Sequence, residues 1–311
     1  MSASTAEARG RGRGIRGSLR TERGHEAVVG LAFIAIPMAL FLVLQIFAIG
    51  YAFFISFFDW GIRGAREFVG LANYEELLSD RVFINKAIPN TLFLTAVVVP
   101  AQMALGLALA VIVNQGIRGQ TFFRAAFFFP SIASSAAIVV LFTFLTQPQG
   151  LINTFLGFFG IESNTNWTNE PDTALPSIMA LLVWTTSGTM MLFYLAALQG
   201  ISHELYEAAA IDGANWWSAF WKITFPLLQP AHFFVAVVSV IGALQMFDAA
   251  FIAGGKDGSP ANSLTTMVLF LYQSWSGFEF GFAAAVGVVL LVLLMSLTLI
   301  QRRFFGATPN W

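Results

Sequence analysis

The chain has 311 residues, of which 57% are hydrophobic and only 11% are charged, and its mean hydropathy is +0.73. Because a soluble globular domain carries about 25% charged residues, this composition predicts an integral membrane protein and excludes a large soluble domain. The absence of cysteine excludes disulfides, thiol catalysis and cysteine-ligated metals, whereas the net charge of −1 excludes no class of partner.

The first 26 residues are rich in arginine and glycine and almost free of apolar side chains. Such a segment cannot bury a core, so residues 1–26 are predicted to form a disordered tail. Its arginines suit either a nucleic acid or the positively charged flank of a membrane span. Because a long apolar run follows directly, the flank is favoured and no nucleic-acid partner is expected. The same run is too long for the apolar part of a signal peptide.

Six apolar runs are long enough to cross a membrane, which takes about 20 residues. A further uncharged stretch, 258–278, is diluted by glycine and polar residues, so an interfacial or re-entrant helix is predicted there. The chain is therefore predicted to be an all-α membrane protein with a transmembrane domain over 27–311. Its six transmembrane helices are placed at about 28–57, 90–113, 125–145, 175–199, 226–250 and 280–300.

The lysines and arginines between these helices predict the orientation, because cytoplasmic loops carry an excess of them. If both termini lie on one side, that side holds 11 of the 16 lysines and arginines, including Lys222, Arg302 and Arg303. The other side holds five. Both termini and the loop at 204–222 are therefore predicted to be cytoplasmic.

The loop at 204–222 carries acidic residues, a central glycine and several large aromatic residues. Residues 204–211 are mostly strong helix formers, Gly213 supplies a sharp turn, and Asn215 can cap a second short helix. The small side chains of Ala208 and Ala209 permit close approach of another subunit. The loop is therefore predicted to be a two-helix docking surface rather than a span.

The spacing of this loop resembles the EAA loop of bacterial ABC-importer permeases. The matching residues are Glu207, Ala208, Ala209, Gly213, Ile223 and Pro226, and Phe225 stands where that family usually has leucine. Two further stretches are similar to sugar-importer permeases of the maltose, lactose and glycerol-3-phosphate group. They are Leu71-Ala72-Asn73-Tyr74 with Asn90-Thr91, and Gln245-Met246-Phe247-Asp248 with Gly254-Gly255.

This resemblance implies a type I ABC importer permease fold in the bacterial plasma membrane, with alternating access driven by ATP. It implies a sugar substrate and four kinds of partner for this chain: a second permease subunit, two ATPase subunits, an extracytoplasmic solute-binding protein and membrane lipid. ATP and magnesium belong to the ATPase, so no cofactor is expected in this chain. Glu207 is implied to pair with an ATPase arginine. The expected coupling residues are Glu207, Ala208, Ala209, Asp212 and Gly213.

Polar side chains inside the spans are costly in lipid and tend to face a cavity. Hydroxyl and amide groups beside a tryptophan suit a sugar, which needs hydrogen bonds at its rim and apolar contact on its ring faces. Gln245 and Asp248 are three residues apart and are expected to share one helix face. The alternative is that these polar groups hold helices together. The expected substrate-path residues are Trp184, Thr186, Thr189, Gln245 and Asp248.

No catalytic or metal site is predicted, so the chain is expected to be a transport subunit and not an enzyme. Its three histidines are scattered, and Gly254-Gly255-Lys256 lacks the first glycine and the final hydroxyl residue of a phosphate loop. A secondary active transporter is disfavoured because neither an intramembrane carboxylate pair nor a broken helix for ion coupling is predicted. An importer permease for a non-sugar solute and a non-transporting scaffold are further alternatives.

Overall fold

In the computed structural model of the chain, residues 29–62, 64–116 and 119–305 are described. The predicted tail over 1–26 lies outside these ranges, as do Arg63 and Arg118. The chain divides into two compact units, Met1–Phe54 and Ile55–Trp311.

The described part of the first unit is a single apolar helix, α1 (Val29–Ile55), which ends at the first residue of the second unit. Its 27 residues rise about 40 Å at 1.5 Å per residue, which exceeds the roughly 30 Å of a bilayer's hydrocarbon core. The segment Leu42–Phe47 is wound as a π-helix. The helix agrees with the span predicted at 28–57.

The second unit begins with a β-hairpin, which the sequence analysis did not predict. Strand β1 (Phe58–Gly61) pairs antiparallel with β2 (Gly64–Phe68), and the rings of the opposed residues Phe58 and Phe68 lie 5.3 Å apart. Aromatic residues favour strands, and Gly64 has a φ of +83° at the turn, which glycine adopts readily. Helix α2 (Ala72–Ser79) follows. The expected all-α chain therefore includes one small sheet.

The third predicted span, 125–145, is bent rather than continuous. After the long helix α3 (Phe83–Asn114), the chain forms α4 (Gln120–Ile132) and α5 (Ser135–Leu145), which meet at 94°. Pro130 lacks the N–H of a helical residue, and extended backbone at Ala133 ends α4. A short helix, α6 (Leu151–Phe158), comes next.

The fifth predicted span, 226–250, is also interrupted. After α7 (Pro171–Gln199) and α8 (His203–Ile211), a helical run over 216–227, called α9, ends at Leu228. Three residues, Gln245 to Phe247, separate helix α10 (Gln229–Leu244) from α11 (Asp248–Gly254), and their backbone is not helical. The last helices are α12 (Met267–Ser276) and α13 (Phe280–Phe305).

Five segments of the described chain are long and apolar enough to cross a membrane: α1, α3, α7, α10 with α11, and α13. Counting α4 and α5 together gives the sixth span that the sequence predicted. Helix α12 has ten residues and rises about 15 Å, which is too short to cross. The expectation of a short helix within 258–278 is therefore confirmed.

Helices α3 and α7 run parallel and form the centre of the second unit. They approach closely at Gly106, where a β-carbon would lie 2.6 Å from Cβ of Met190. Helix α4 packs on α7 at Gly188, where a β-carbon would overlap the backbone of Phe127. Buried side chains of α3, α7 and α10, such as Leu94, fill the core between them. These contacts hold α3, α4, α7 and α10 against one another.

Candidate functional site

The first candidate site is the segment 203–227, which comprises α8, a turn and α9 and is called the coupling loop. Helix α8 ends where the N–H of Gly213 donates to the carbonyl of Ala210 at 3.1 Å and that of Ala214 donates to Ala209 at 2.9 Å. These paired bonds form a Schellman motif, in which glycine takes the left-handed position. Gly213 has a φ of +78°, so the predicted glycine turn is confirmed.

The second helix of the coupling loop begins at Asn215, as predicted. The Oδ1 atom of Asn215 accepts a hydrogen bond from the N–H of Ser218 at 2.8 Å, which satisfies one free donor of the first helical turn. The hydroxyl oxygens of Tyr206 and Thr224 lie 2.9 Å apart and join α8 to α9. Helix α9 continues to residue 227, beyond the predicted end of the loop at 222.

The predicted coupling residues lie on an accessible surface of this loop. Glu207, Ala208, Asp212 and Gly213 are exposed, and Ala209 is half-buried. The neighbouring Ile211 is 87% exposed. The structure thus brings the five predicted coupling residues together on one element.

The coupling loop is joined to the spans by a buried histidine. In His232 of α10, Nδ1 lies 3.0 Å from the Tyr194 hydroxyl of α7, and Nε2 lies 3.2 Å from the carbonyl oxygen of Phe225 in α9. Rings of α9 continue this contact, with the Phe225 and His232 ring centres 4.5 Å apart. These contacts tie the coupling loop to α7 and α10 through one side chain. The sequence analysis assigned no such role to His232.

The second candidate site is a cavity of about 210 Å³ at the bend between α4 and α5. Helix α7 forms its opposite wall, and Ala249 of α11 also reaches it. Its polar lining consists of hydroxyl side chains. They belong to Ser131, Ser135, Thr185, Thr186 and Thr189.

Hydrogen bonds hold the walls of this cavity. The Thr186 hydroxyl donates to Oε1 of Gln102 on α3 at 2.5 Å, and the Ser131 hydroxyl donates to the carbonyl of Thr185 at 2.7 Å. The Thr189 hydroxyl has no hydrogen-bond partner within residues 29–62, 64–116 and 119–305. Because a hydroxyl both donates and accepts, Thr189 can bind a hydroxylated ligand here.

Two of the predicted substrate-path residues, Thr186 and Thr189, line the cavity, and three do not. Trp184 is 54% exposed and lies outside the lining. Gln245 and Asp248 are exposed and do not share a helix face, because α10 ends at Leu244 and the backbone between them is not helical. Their place in a substrate path stays a prediction.

The sequence analysis missed Gln102, Ser131 and Ser135. A local signal was available for the serines, since Pro130 and a cluster of small polar residues interrupt an apolar run. The bend that they mark also corrects one argument of the sequence analysis. A broken helix does occur, so its expected absence no longer counts against a secondary transporter.

No group of three or more histidine, aspartate or glutamate side chains in the described ranges is placed to hold a metal ion. The coupling loop offers exposed carboxylate groups such as that of Glu207, and the cavity offers hydroxyl groups between apolar walls.

The sequence is similar to a family of known transport proteins. Residues 102–306 match the family model described as the binding-protein-dependent transport system inner membrane component. The probable ABC transporter permease protein YesP of Bacillus subtilis is 32% identical over 286 residues, which is 91% of each chain. The lactose transport system permease protein LacF of Rhizobium radiobacter is 34% identical over 284 residues, covering 90% of this chain and 94% of LacF.

Solved structures share the fold. One is the crystal structure of a bacterial ABC transporter involved in the import of the acidic polysaccharide alginate. A chain of that structure superposes on this one with a TM-score of 0.77 at 20% sequence identity, and the match covers 92% of this chain and 98% of that chain. The alginate transporter in complex with a periplasmic protein that carries an alginate pentasaccharide gives a TM-score of 0.76 at 19% identity. The architecture described above is therefore that of an ABC importer permease.

Proposed function

This chain belongs to the family of inner membrane components of binding-protein-dependent transport systems, and we propose that it is a permease subunit of an ATP-driven carbohydrate importer. It is a multi-pass membrane protein, in agreement with the predicted localisation. Relatives named as lactose, multiple-sugar and sulfoquinovosyl glycerol permeases support the carbohydrate class. The hydroxyl-lined cavity at the α4–α5 bend is the structural observation that supports the same class.

In this proposal the coupling loop binds an ATPase subunit on the cytoplasmic side. The excess of lysine and arginine on that side supports the orientation. The exposed Glu207 pairs with an arginine of the ATPase, and the ATPase holds ATP and magnesium. Because His232 joins α9 to α7 and α10, movement of the ATPase reaches the helix that lines the cavity.

The size of the cavity supports a second permease subunit. Its 210 Å³ lies below the roughly 300–1,000 Å³ of typical ligand sites, so one chain supplies only part of a sugar site. A second permease completes the path, and a solute-binding protein delivers the sugar from outside. Closure of the ATPases then draws the coupling loops together and exposes the path to the outside.

A secondary active transporter is the second candidate, and the 94° bend favours it, because discontinuous helices can coordinate coupling ions. The lining of the cavity argues against it. Its described residues include hydroxyl groups but no acidic side chain that could carry a proton or bind a cation. The ATP-driven importer therefore fits the site better.

Uptake into proteoliposomes tests the proposal. The chain is reconstituted with the second permease, the ATPase and the binding protein of its transport system, and supplied with labelled lactose, arabino-oligosaccharides or alginate oligosaccharides. Uptake that requires both ATP and the binding protein is expected. Thr186→Val should reduce it, because the bond to Gln102 is lost, whereas Thr298→Val in α13 should not. Uptake by this chain alone, driven by an ion gradient, would establish the secondary transporter instead.

A further inference from the structure

The connection between α11 and α12, residues 255–266, has an exposed tip on a buried base. At the tip, Gly255, Lys256 and Asp257 are exposed. At the base, residues 263–266 are at most 6% exposed. This connection, called the tip loop, lies at the end of the spans opposite the coupling loop, since it contacts the beginning of α3 while the coupling loop lies near the end of α3.

Asn90 of α3 holds the base of the tip loop from across the chain. Its Nδ2 atom donates to the carbonyl oxygens of Asn262, Ser263 and Thr265 at 3.2, 3.0 and 3.0 Å. An amide nitrogen carries two hydrogens, so three acceptors share them. These contacts join residues more than 170 positions apart in the sequence. A single side chain of α3 therefore holds three peptide groups of the tip loop, in addition to the loop's own backbone hydrogen bonds.

The residue after Asn90 fixes the next element. The Thr91 hydroxyl, fully buried, accepts a hydrogen bond from the N–H of Met267, the first residue of α12, at 2.9 Å. Thr266 caps the same helix and donates to the carbonyl of Met246 at 3.1 Å. Consecutive residues of α3 thus hold both the tip loop and the helix that follows it.

The exposed tip is held as well. Gln273 of α12 donates from Nε2 to the carbonyl of Lys256 at 2.7 Å. A β-carbon on Gly254 would lie 2.7 Å from the carbonyl oxygen of Ser259, and one on Gly258 would overlap Thr265. The backbone therefore packs tightly against itself and presents Lys256 and Asp257 on a well-supported surface.

We propose that Asn90 is a positioning residue that holds the tip loop as a preformed contact for the solute-binding protein. This inference rests on the proposed function, because an importer permease receives its binding protein on the side opposite the ATPase. The opposite charges of Lys256 and Asp257 suit the polar rim of a protein interface. Binding at the tip acts on α3, whose Gln102 contacts the cavity wall and whose Asn114 lies beside the coupling loop. One helix therefore connects the three sites.

The first test measures the mobility of the tip directly. Since the chain has no cysteine, Lys256→Cys gives it a single thiol for a nitroxide spin label, and the complex is reconstituted with cysteine-free forms of the partner subunits. Asn90→Asp keeps the size of the side chain but places an oxygen where a donor faced three carbonyl oxygens. The label should become more mobile in Asn90→Asp and in Asn90→Ala. The exposed residue Asn169 gives the matched control Asn169→Asp, which should leave the label unchanged. Unchanged mobility in both Asn90 variants would overturn the proposal.

The second test measures the response to the binding protein in the full complex without the label. The binding protein of the same transport system is added with whichever of the three labelled sugars is taken up. In both Asn90 variants, basal ATP hydrolysis and co-purification of the ATPase should be retained. The binding-protein concentration for half-maximal stimulation should rise by roughly tenfold or more, since buried acceptors lose their donor.

The outcomes of the two tests are distinguishable. An unchanged half-maximal concentration together with a mobile label would overturn the positioning role. An equal loss of basal and stimulated hydrolysis would overturn it too, because that pattern indicates a general defect in folding. If the binding protein does not stimulate ATP hydrolysis by the wild-type complex, the proposed function fails, and the positioning role fails with it. The mobility of the label then still shows whether Asn90 holds the tip loop.

Discussion

The two ends of the second unit are built differently. At the end opposite the coupling loop, asparagine side chains hold backbone carbonyls of other segments: Asn73 those of Ser56 and Phe58, Asn90 those of the tip loop, and Asn153 those of Gln147, Pro148 and Thr165. In the coupling loop, the side-chain hydrogen bonds of Asn215 and Tyr206, to Ser218 and Thr224, stay within the loop. Its predicted coupling residues are mostly exposed.

This difference indicates how each end meets its partner. A loop held by amide-to-carbonyl bonds from another segment keeps its shape when nothing is bound, which suits a partner that arrives and leaves with each transport cycle. A short helix that exposes Glu207 and Ile211 keeps its contact groups free for a partner that stays. Substitutions at the opposite end should therefore affect folding first, and substitutions in the coupling loop should affect assembly first.

The largest expected effect comes from Glu207→Arg. Reversing the charge removes the proposed pair with an ATPase arginine, and breaking a desolvated interfacial charge pair costs about 2–5 kcal/mol. ATP-driven uptake should be lost while the thermal midpoint of the detergent-solubilised chain stays the same. Glu204→Arg, an equally exposed change one turn earlier on α8, serves as the control and should retain most uptake. Equal loss in both variants would mean that the net charge of α8 matters and not the Glu207 contact.

At the opposite end, Asn153→Asp should lower the free energy of unfolding. Nδ2 of Asn153 donates to three carbonyls, while its Oδ1 accepts from Nε1 of Trp167 at 2.8 Å. The aspartate keeps the acceptor and loses the donors, so the half-buried carbonyls of Pro148 and Thr165 lose their partner, while that of Gln147 keeps the N–H of Gly150. A fully buried carbonyl left without a partner costs about 1–3 kcal/mol, and these partly exposed ones cost less. The exposed Asn164 supplies the control Asn164→Asp. A normal thermal midpoint in Asn153→Asp would show that this end is not stabilised by its amides.

A smaller effect is expected from Gly213→Ala. An alanine at a φ of +78° is strained by about 1–2 kcal/mol, which shifts the end of α8 and the coupling residues on it. The expected result is weaker co-purification of the ATPase. Gly160→Ala is the matched control, because Gly160 has a φ of +77° and open space around it. That variant should carry the same strain and retain the ATPase.

The smallest effect is expected from Asn215→Ala. Loss of an N-cap typically costs about 1 kcal/mol, so the start of α9 should fray and ATPase binding should weaken slightly. Asn215→Asp keeps an acceptor for the Ser218 N–H and should behave as wild type. Titration of ATPase binding across the three chains separates these outcomes. If Asn215→Asp weakens ATPase binding as much as Asn215→Ala does, the effect comes from another contact of Asn215 and not from the helix cap.

The features that the sequence predicted are those fixed by neighbouring residues. The turn at Gly213 and the cap at Asn215 each depend on positions within five residues, and uncharged runs marked the spans. For the same reason the short helix within 258–278 was predicted, since its apolar part is too brief to cross a membrane.

The features that the sequence did not predict depend on distant contacts. The base of the tip loop is held by Asn90, more than 170 positions away, and no local pattern indicates that pair. The bend after α4 depends on close packing at Gly188 as well as on Pro130. Gln245 and Asp248 were placed on one helix face because a continuous helix was assumed, and three non-helical residues separate α10 from α11.

Cross-linking from the coupling loop tests the central claim most directly. With no native cysteine in the chain, Ile211→Cys places a single thiol at a position that is 87% exposed, and Phe278→Cys places one at the opposite end. In membranes that contain the complete transporter, a thiol-reactive photo-cross-linker should join position 211 to the ATPase and position 278 to no ATPase. If ATP-driven uptake proceeds while position 211 yields no ATPase product, the coupling loop is not the site through which ATP drives this permease.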